Sequence, residues 1–190
     1  YAFMLRNGEG CEKDIKKAAQ YFEIAANNGS IHAMNKYASM LLNGNGVTIN
    51  KMEASKYYKM AADKGNSNAM LNYATILNNN GNDTNKKEAA QYFKMAADCG
   101  NTKAMFNYAV MINNGKGIDI NKKEATKYFK MAADNGNTEA MYNYAVNLVQ
   151  NANTKNEKEI ESKESKPVEN SKDADVKNDK KEDETENGEA

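Results

Sequence analysis

The residues of this chain that could do chemistry are few, and their spacing works against catalysis. His32 is the single histidine, with no Asp, Cys or Ser set at catalytic spacing in the segment around it. Cys11 and Cys99 are the only cysteines. Cys99 stands just before Gly100 where a helix should end, and the negative end of a helix dipole disfavours an activated thiolate. Gly8-Glu9-Gly10 is the one fragment that looks like a phosphate loop, but it follows no strand and so lacks the required context. Glu53, Glu88 and Glu124 each stand three residues after an asparagine, at Asn50, Asn85 and Asn121. That spacing is the signature of a helix cap, not of an acid and base pair. No metal-ligand spacing occurs. The residues therefore predict no catalytic group, no metal and no cofactor: the chain is not expected to be an enzyme.

What the chain does offer is a set of positions suited to binding. Glycines at 29, 65, 100 and 136 recur at steps of 36, 35 and 36, inside four near-copies of one text: YFEIAANNGSIHAMNKYA, YYKMAADKGNSNAMLNYA, YFKMAADCGNTKAMFNYA and YFKMAADNGNTEAMYNYA. A period in this range marks a solenoid, whose units bury their apolar faces only against their neighbours. Internal copies also separate packing from function, because positions that stay apolar in every copy are packing. Three positions vary and share one helical face at spacings of three and four. They read His32, Asn35 and Ser39; then Asn68, Leu71 and Thr75; then Lys103, Phe106 and Val110; then Glu139, Tyr142 and Val146. These twelve are the candidate partner-binding residues, polar toward the N-terminal end and apolar toward the other. Leu71, Phe106 and Tyr142 read either as peptide anchors or as packing. Asn72, Asn107 and Asn143, with Lys36 in the first copy, form a recurring amide position that reads either as a peptide-backbone ladder or as a bond to the neighbouring unit.

The elements that must carry these residues follow from one unit. A first helix is expected from about Ile31 to Asn43, with Ala33, Tyr37, Ala38 and Leu41 on one apolar stripe. It stops at Asn43-Gly44-Asn45-Gly46, where glycine suits the left-handed exit. A second helix starts after Asn50, with the same cap expected at Asn85 and Asn121. Ala25-Ala26, Ala61-Ala62, Ala96-Ala97 and Ala132-Ala133 let neighbouring helices approach closely. The third unit is one residue shorter at Asn80-Gly81, which accounts for the 35-residue step.

Composition divides the chain at about residue 150. Residues 1–150 hold 18 Lys and Arg against 13 Asp and Glu, and residues 151–190 reverse this with 8 against 13. Residues 151–190 lack Phe, Tyr, Trp and Cys, and too little apolar surface is available there to fold. The expected organisation is a partial unit at 1–29, full units at 30–65, 66–100 and 101–136, a final single helix at 137–150 and a disordered charged tail at 151–190. No apolar run reaches membrane-spanning length. The two cysteines lie too far apart in such a stack to pair, which points to a reducing compartment and a cytoplasmic location. The chain opens at Tyr1 in mid-repeat, which reads as a fragment of a longer groove.

In residues 33–65, Ala33, Met34, Ala38, Gly44, Gly46, Asn50, Ala54, Tyr57, Tyr58, Ala61, Ala62 and Gly65 form a pattern that resembles the Sel-one-like repeat family, a relative of the tetratricopeptide repeats. The G-x-G loop joined to an A-A-x-x-G ending carries most of that likeness. Tyr37 and Ala38 depart from the commoner Leu and Gly, and the paired cysteines of the family's cysteine-rich members are absent. The resemblance implies an all-α, right-handed superhelix of stacked helix-turn-helix units over residues 1–150. It implies a non-catalytic adaptor or scaffold that takes a protein or peptide partner on the concave face lined by the first helices. Two other functions stay open, an RNA-binding helical repeat and a purely structural spacer. With only Lys36 and Lys103 beside Glu139 on the candidate face, nucleic acid is not the expected partner.

Overall fold

The computed structural model describes residues 1–79 and 81–164, with side chains through 157. Every regular element among them is a helix. In chain order these are α1 (Ala2–Asn7), α2 (Ile15–Asn27), α3 (Ile31–Asn43), α4 (Lys51–Asp63), α5 (Ser67–Asn79), α6 (Asp83–Asp98), α7 (Thr102–Asn114), α8 (Lys122–Asp134) and α9 (Thr138–Glu164). The pairs α1/α2, α3/α4, α5/α6 and α7/α8 are the repeating units, and each packs on the next. The expected all-α solenoid is what forms.

Local chemistry explains the boundaries. α3 begins at Ile31 because the Ser30 hydroxyl accepts from the Ala33 amide at 3.3 Å, and it ends where Gly44 turns left-handed at φ 70°. Asn50 and Asn121 cap α4 and α8 by accepting from the amides of Glu53 and Glu124 at 3.1 and 3.0 Å. The rest of each cap differs from the usual reciprocal box. The Glu carboxylate accepts from the Asn side-chain amide, while the Asn50 backbone N–H donates to the Leu41 carbonyl at 2.9 Å and Asn121 to Ile112. α4 and α8 are thereby tied to the ends of α3 and α7.

The expected cap at Asn85 is not the one used. α6 begins at Asp83, and Asn82 accepts from the Asn85 amide at 2.7 Å, leaving Asn85 inside the helix. The shortened loop supplies an earlier asparagine, and the helix takes it. α9 likewise runs on to Glu164, beyond the end expected at residue 150. Contacts divide the chain into residues 1–152 and 153–190, and the part of the expected disordered tail beyond residue 164 lies outside the described residues.

The core is a continuous line of alanines and tyrosines. Ala61, Ala62, Ala96 and Ala97 are essentially inaccessible, whereas Ala25 and Ala133, in the outermost pairs, are only partly buried. Beside each alanine pair two aromatic rings meet edge to face: Tyr37 on Tyr57, Tyr73 on Tyr92 and Tyr108 on Tyr128, at centroid distances of 5.1, 4.9 and 4.8 Å. The hydroxyls are satisfied in two directions. Tyr73 and Tyr108 donate to Glu88 and Glu124 of their own unit, both at 3.1 Å. Tyr57, Tyr92 and Tyr128 donate to Asn27, Asp63 and Asp98 of the preceding unit at 2.7, 2.8 and 2.8 Å. Burial, with the neighbouring carboxylates, pushes Tyr73 and Tyr108 up to about 12. A hydrogen bond from Lys59 holds Asp63 below the usual carboxylate range.

One close approach recurs. Gly46, at φ 75°, lies so near the Ile15 carbonyl that a Cβ there would overlap it, and a Cβ on Gly117 would overlap the Cβ and carbonyl carbon of Lys86. The second glycine of a G-x-G turn therefore seats its unit on the start of the preceding second helix. Gly81 occupies the equivalent place in the shortened loop, and nothing lies within 4 Å of where its Cβ would be.

Candidate functional site

The helix period places the variable residues on the outer stripe of α3, α5, α7 and α9, and the stack sets those stripes side by side. Asn35, Lys36 and Ser39 of α3, Asn68, Leu71 and Asn72 of α5, and Asn101, Thr102 and Lys103 at the start of α7 line one open cleft of about 520 Å³. Five of the twelve candidate residues, Asn35, Ser39, Asn68, Leu71 and Lys103, thus meet in one place from three consecutive units. Amides dominate it and are tied together between units. Asn101 Nδ2 donates to Asn68 Oδ1 at 3.1 Å, and Asn72 Nδ2 donates to Asn35 Oδ1 at 3.5 Å. Asn72 accordingly both faces the cleft and bonds the neighbouring unit. Asn143 instead donates to the Glu139 carbonyl of its own helix at 2.8 Å.

The remaining candidates are distributed along the stack. His32 is exposed and stacks on Phe3 at a centroid distance of 5.5 Å. Thr75 is exposed, donates to the Leu71 carbonyl at 2.8 Å, and lines a second cleft described below. Leu71, Phe106 and Val110 are half-buried against the core, Phe106 with its ring 6.0 Å from that of Phe129. Val146 is half-buried, Glu139 is exposed, and Tyr142 is 71% exposed. Leu71 both packs and lines the cleft, whereas Phe106 and Val110 contribute mainly to packing.

Two further clefts flank the amide-lined one and were not singled out from the sequence. Arg6, Asn7, Lys13, Ile15, Phe22, Lys36, Ser39, Met40 and Asn45 surround a space of about 280 Å³ between α1/α2 and α3. Leu42, Lys51, Met52, Ser55, Asn72, Thr75, Ile76 and Asn79 surround one of about 550 Å³ between α3/α4 and α5. No carboxylate lines any of the three. The signal for the second flank was present but easily missed. Leu42 and Met52 stand where the later copies have Asn78 and Asn113, and Lys87 and Lys123.

As to chemistry, both thiols are free, Cys11 half-buried and Cys99 exposed. Among the described residues no group of three or more His, Cys, Asp and Glu side chains could hold a metal ion. Among them, too, no helix is long and apolar enough to cross a membrane.

Solved structures with the same architecture are known. A Sel1 repeat protein from Oxalobacter formigenes superposes with a TM-score of 0.71 at 26% identity, over 76% of this chain and 60% of its own. The c5321 protein, a protective antigen of uropathogenic Escherichia coli strains with an SLR fold, gives 0.71 at 23% identity, over 76% of this chain and 32% of its own. The cysteine-rich protein B of Helicobacter pylori gives 0.51 at 24% identity, over 68% and 93%. This chain thus spans less than two thirds of the length of the first two. No curated protein matches it. The Sel1 repeat family model matches at residues 1–30, 31–66, 67–101 and 102–137, in register with the helix pairs, and the chain belongs to the Sel1 repeat family.

Proposed function

We propose that this chain is a non-catalytic scaffold that holds a segment of a partner protein along the outer stripe of α3, α5 and α7, the concave face of the stack. Sel1 repeat proteins are in general protein-interaction scaffolds. The observation that carries the finer reading is the amide-lined cleft, in which side chains from three consecutive units converge beside Lys36 and Lys103 and no carboxylate intervenes. Asparagine side chains offer donors and acceptors together, the pairing an extended peptide backbone requires. The last matched repeat ends at residue 137, and the charged segment 151–190 serves in this proposal as a spacer. Free thiols suit a reducing, cytoplasmic setting.

The test is affinity capture from native cytosol with the wild-type chain and an Asn68→Arg, Lys103→Glu variant. Both positions are exposed, so the denaturation midpoint should move by less than about 0.5 kcal/mol equivalent. Captured protein should fall at least tenfold. Unchanged capture would leave only the spacer reading, and a salt-sensitive mobility shift with an oligonucleotide would favour the RNA reading in its place.

A further inference from the structure

The two flanking clefts are the same place in successive units. Lys36, Ser39 and Met40 of the first correspond, one repeat on, to Asn72, Thr75 and Ile76 of the second, and Arg6 corresponds to Leu42. Their chemistry is opposite. The first gathers Arg6, Lys13 and Lys36, and among the described residues none of these three makes an ion pair. The second gathers Leu42, Ile76 and Met52, and Met52 is 84% exposed. A methionine left in water beside a leucine and an isoleucine is a soft, adaptable apolar surface.

The later copies do not repeat either arrangement. Where Ile76 stands in α5, Asn147 stands in α9, 5% exposed. Asn147 Nδ2 donates to Asn113 Oδ1 at 3.2 Å and to the Thr126 hydroxyl at 3.3 Å, while Lys122 Nζ donates to Asn113 Oδ1 from the other side. Polar bonds thus fill at the last unit the space that stays open and apolar at the second.

Both flanking clefts run into the amide-lined one, which shares Lys36 and Ser39 with the basic cleft and Asn72 with the apolar cleft. From this continuity and charge pattern we infer that the groove selects an extended peptide carrying an acidic side chain for the basic cleft and a large apolar side chain for the Met52 cleft. The spacing of the two follows from the stack. The bond from Asn72 to Asn35 makes the first helices of successive units neighbours; neighbouring helices lie about 8–10 Å apart, and an extended chain rises about 3.3 Å per residue, so the acidic and apolar residues stand about three positions apart. This specifies the ligand of the groove proposed above and rests on that proposal.

The experiment is selection of random dodecapeptides displayed on phage against the whole chain, followed by titration of the synthetic consensus peptide. The sister repeats supply variants that the fold already tolerates: Lys36→Asn, since Asn72 and Asn107 hold that place, and Met52→Lys, since Lys87 and Lys123 do. The enriched peptides should pair Asp or Glu with Leu, Ile, Met or Phe three residues away. The wild-type chain should prefer the Glu peptide over its Gln analogue, and the Leu peptide over its Ala analogue, by about tenfold each. Lys36→Asn should abolish only the first preference and Met52→Lys only the second. Preferences that survive both substitutions overturn the inference. If the enriched peptides lack this pattern yet lose binding with Asn68→Arg, Lys103→Glu, the scaffold proposal stands and the assigned specificity falls. If no peptide is enriched, both fall.

Discussion

At the joint between α3/α4 and α5, Leu42, Met52 and Ile76 leave a cleft open; at the joint between α7/α8 and α9, Asn113, Thr126 and Asn147 close the same cleft with hydrogen bonds. The backbones of the two joints come from one repeated text, and the alanines and edge-to-face tyrosines beneath are shared. What differs is the side chains: Asn113, Lys123, Thr126 and Asn147 stand at the last joint where Leu42, Met52, Ser55 and Ile76 stand at the earlier one. In a solenoid the period sets the stacking, while single departures from the period decide whether a surface is sealed or available. Repetition builds the stack, and its exceptions shape the clefts.

The largest expected effect probes how firmly each joint is seated. Gly46→Ala must open a backbone contact with Ile15 and hold a left-handed φ, a combined cost of about 2–4 kcal/mol. Gly81→Ala meets nothing and should cost only about 1 kcal/mol, for its φ alone. Urea midpoints of the two variants compare them directly, and equal losses would remove the distinction between joints.

Alkaline pH addresses what the joints share. Tyr73 and Tyr108 are pushed up to about 12 in the folded chain, against about 10 when unfolded. The folded state therefore favours the protonated phenols. Their contribution is complete below pH 10 and is lost as the pH rises through 12. Burial pushes Tyr37 up to about 12 as well. Stability measured across that window should fall, and Phe at Tyr37, Tyr73 and Tyr108 together should flatten the fall. An undiminished fall in that triple variant would mean that other groups govern it.

A smaller effect distinguishes the sealed joint. Asn147→Ala deletes two hydrogen bonds and leaves Asn113 with its Lys122 contact, for a loss of about 1 kcal/mol in a thermal melt. A neutral result would show that the polar filling does not stabilise that end. The smallest effect belongs to the open joint, where Met52→Lys should shift the melt by less than about 0.5 kcal/mol equivalent, because Met52 is nearly all exposed. A larger shift would make Met52 packing.

Most of the fold could be read in advance because its causes are local. Asn50 and Asn121 announce their helices, Gly44 ends α3 where expected, and Ala61-Ala62 mark the seam. The start of α6 could not be read because Asn82 and Asn85 are both competent caps three residues apart, and Asn82 stands where the other copies have Val47 and Ile118. The outer stripe of the first helices was legible from the variation between copies, and five of its residues, Asn35, Ser39, Asn68, Leu71 and Lys103, line one cleft. Phe106 was ambiguous because its partner, Phe129, comes from the following helix. Leu42 and Met52 escaped because they lie at the helix ends, outside the three positions that define the stripe. The bonds of Tyr92 to Asp63 and Tyr128 to Asp98 depend on how successive units sit, which no single unit encodes.

The seats of Gly46 and Gly117, and the missing one at Gly81, bear on mechanics as well as shape. A stack of rigid hairpins bends at its joints, and a joint held by backbone against backbone resists more than one held by side chains alone. The joint at Gly81 is therefore expected to yield more readily than the joints at Gly46 and Gly117 on either side of it. Strain applied along the chain concentrates at the compliant joint, between α3/α4 and α5/α6, the joint that also carries the Met52 cleft. On this expectation a load on the array would widen or narrow that cleft before it distorted the rest of the stack.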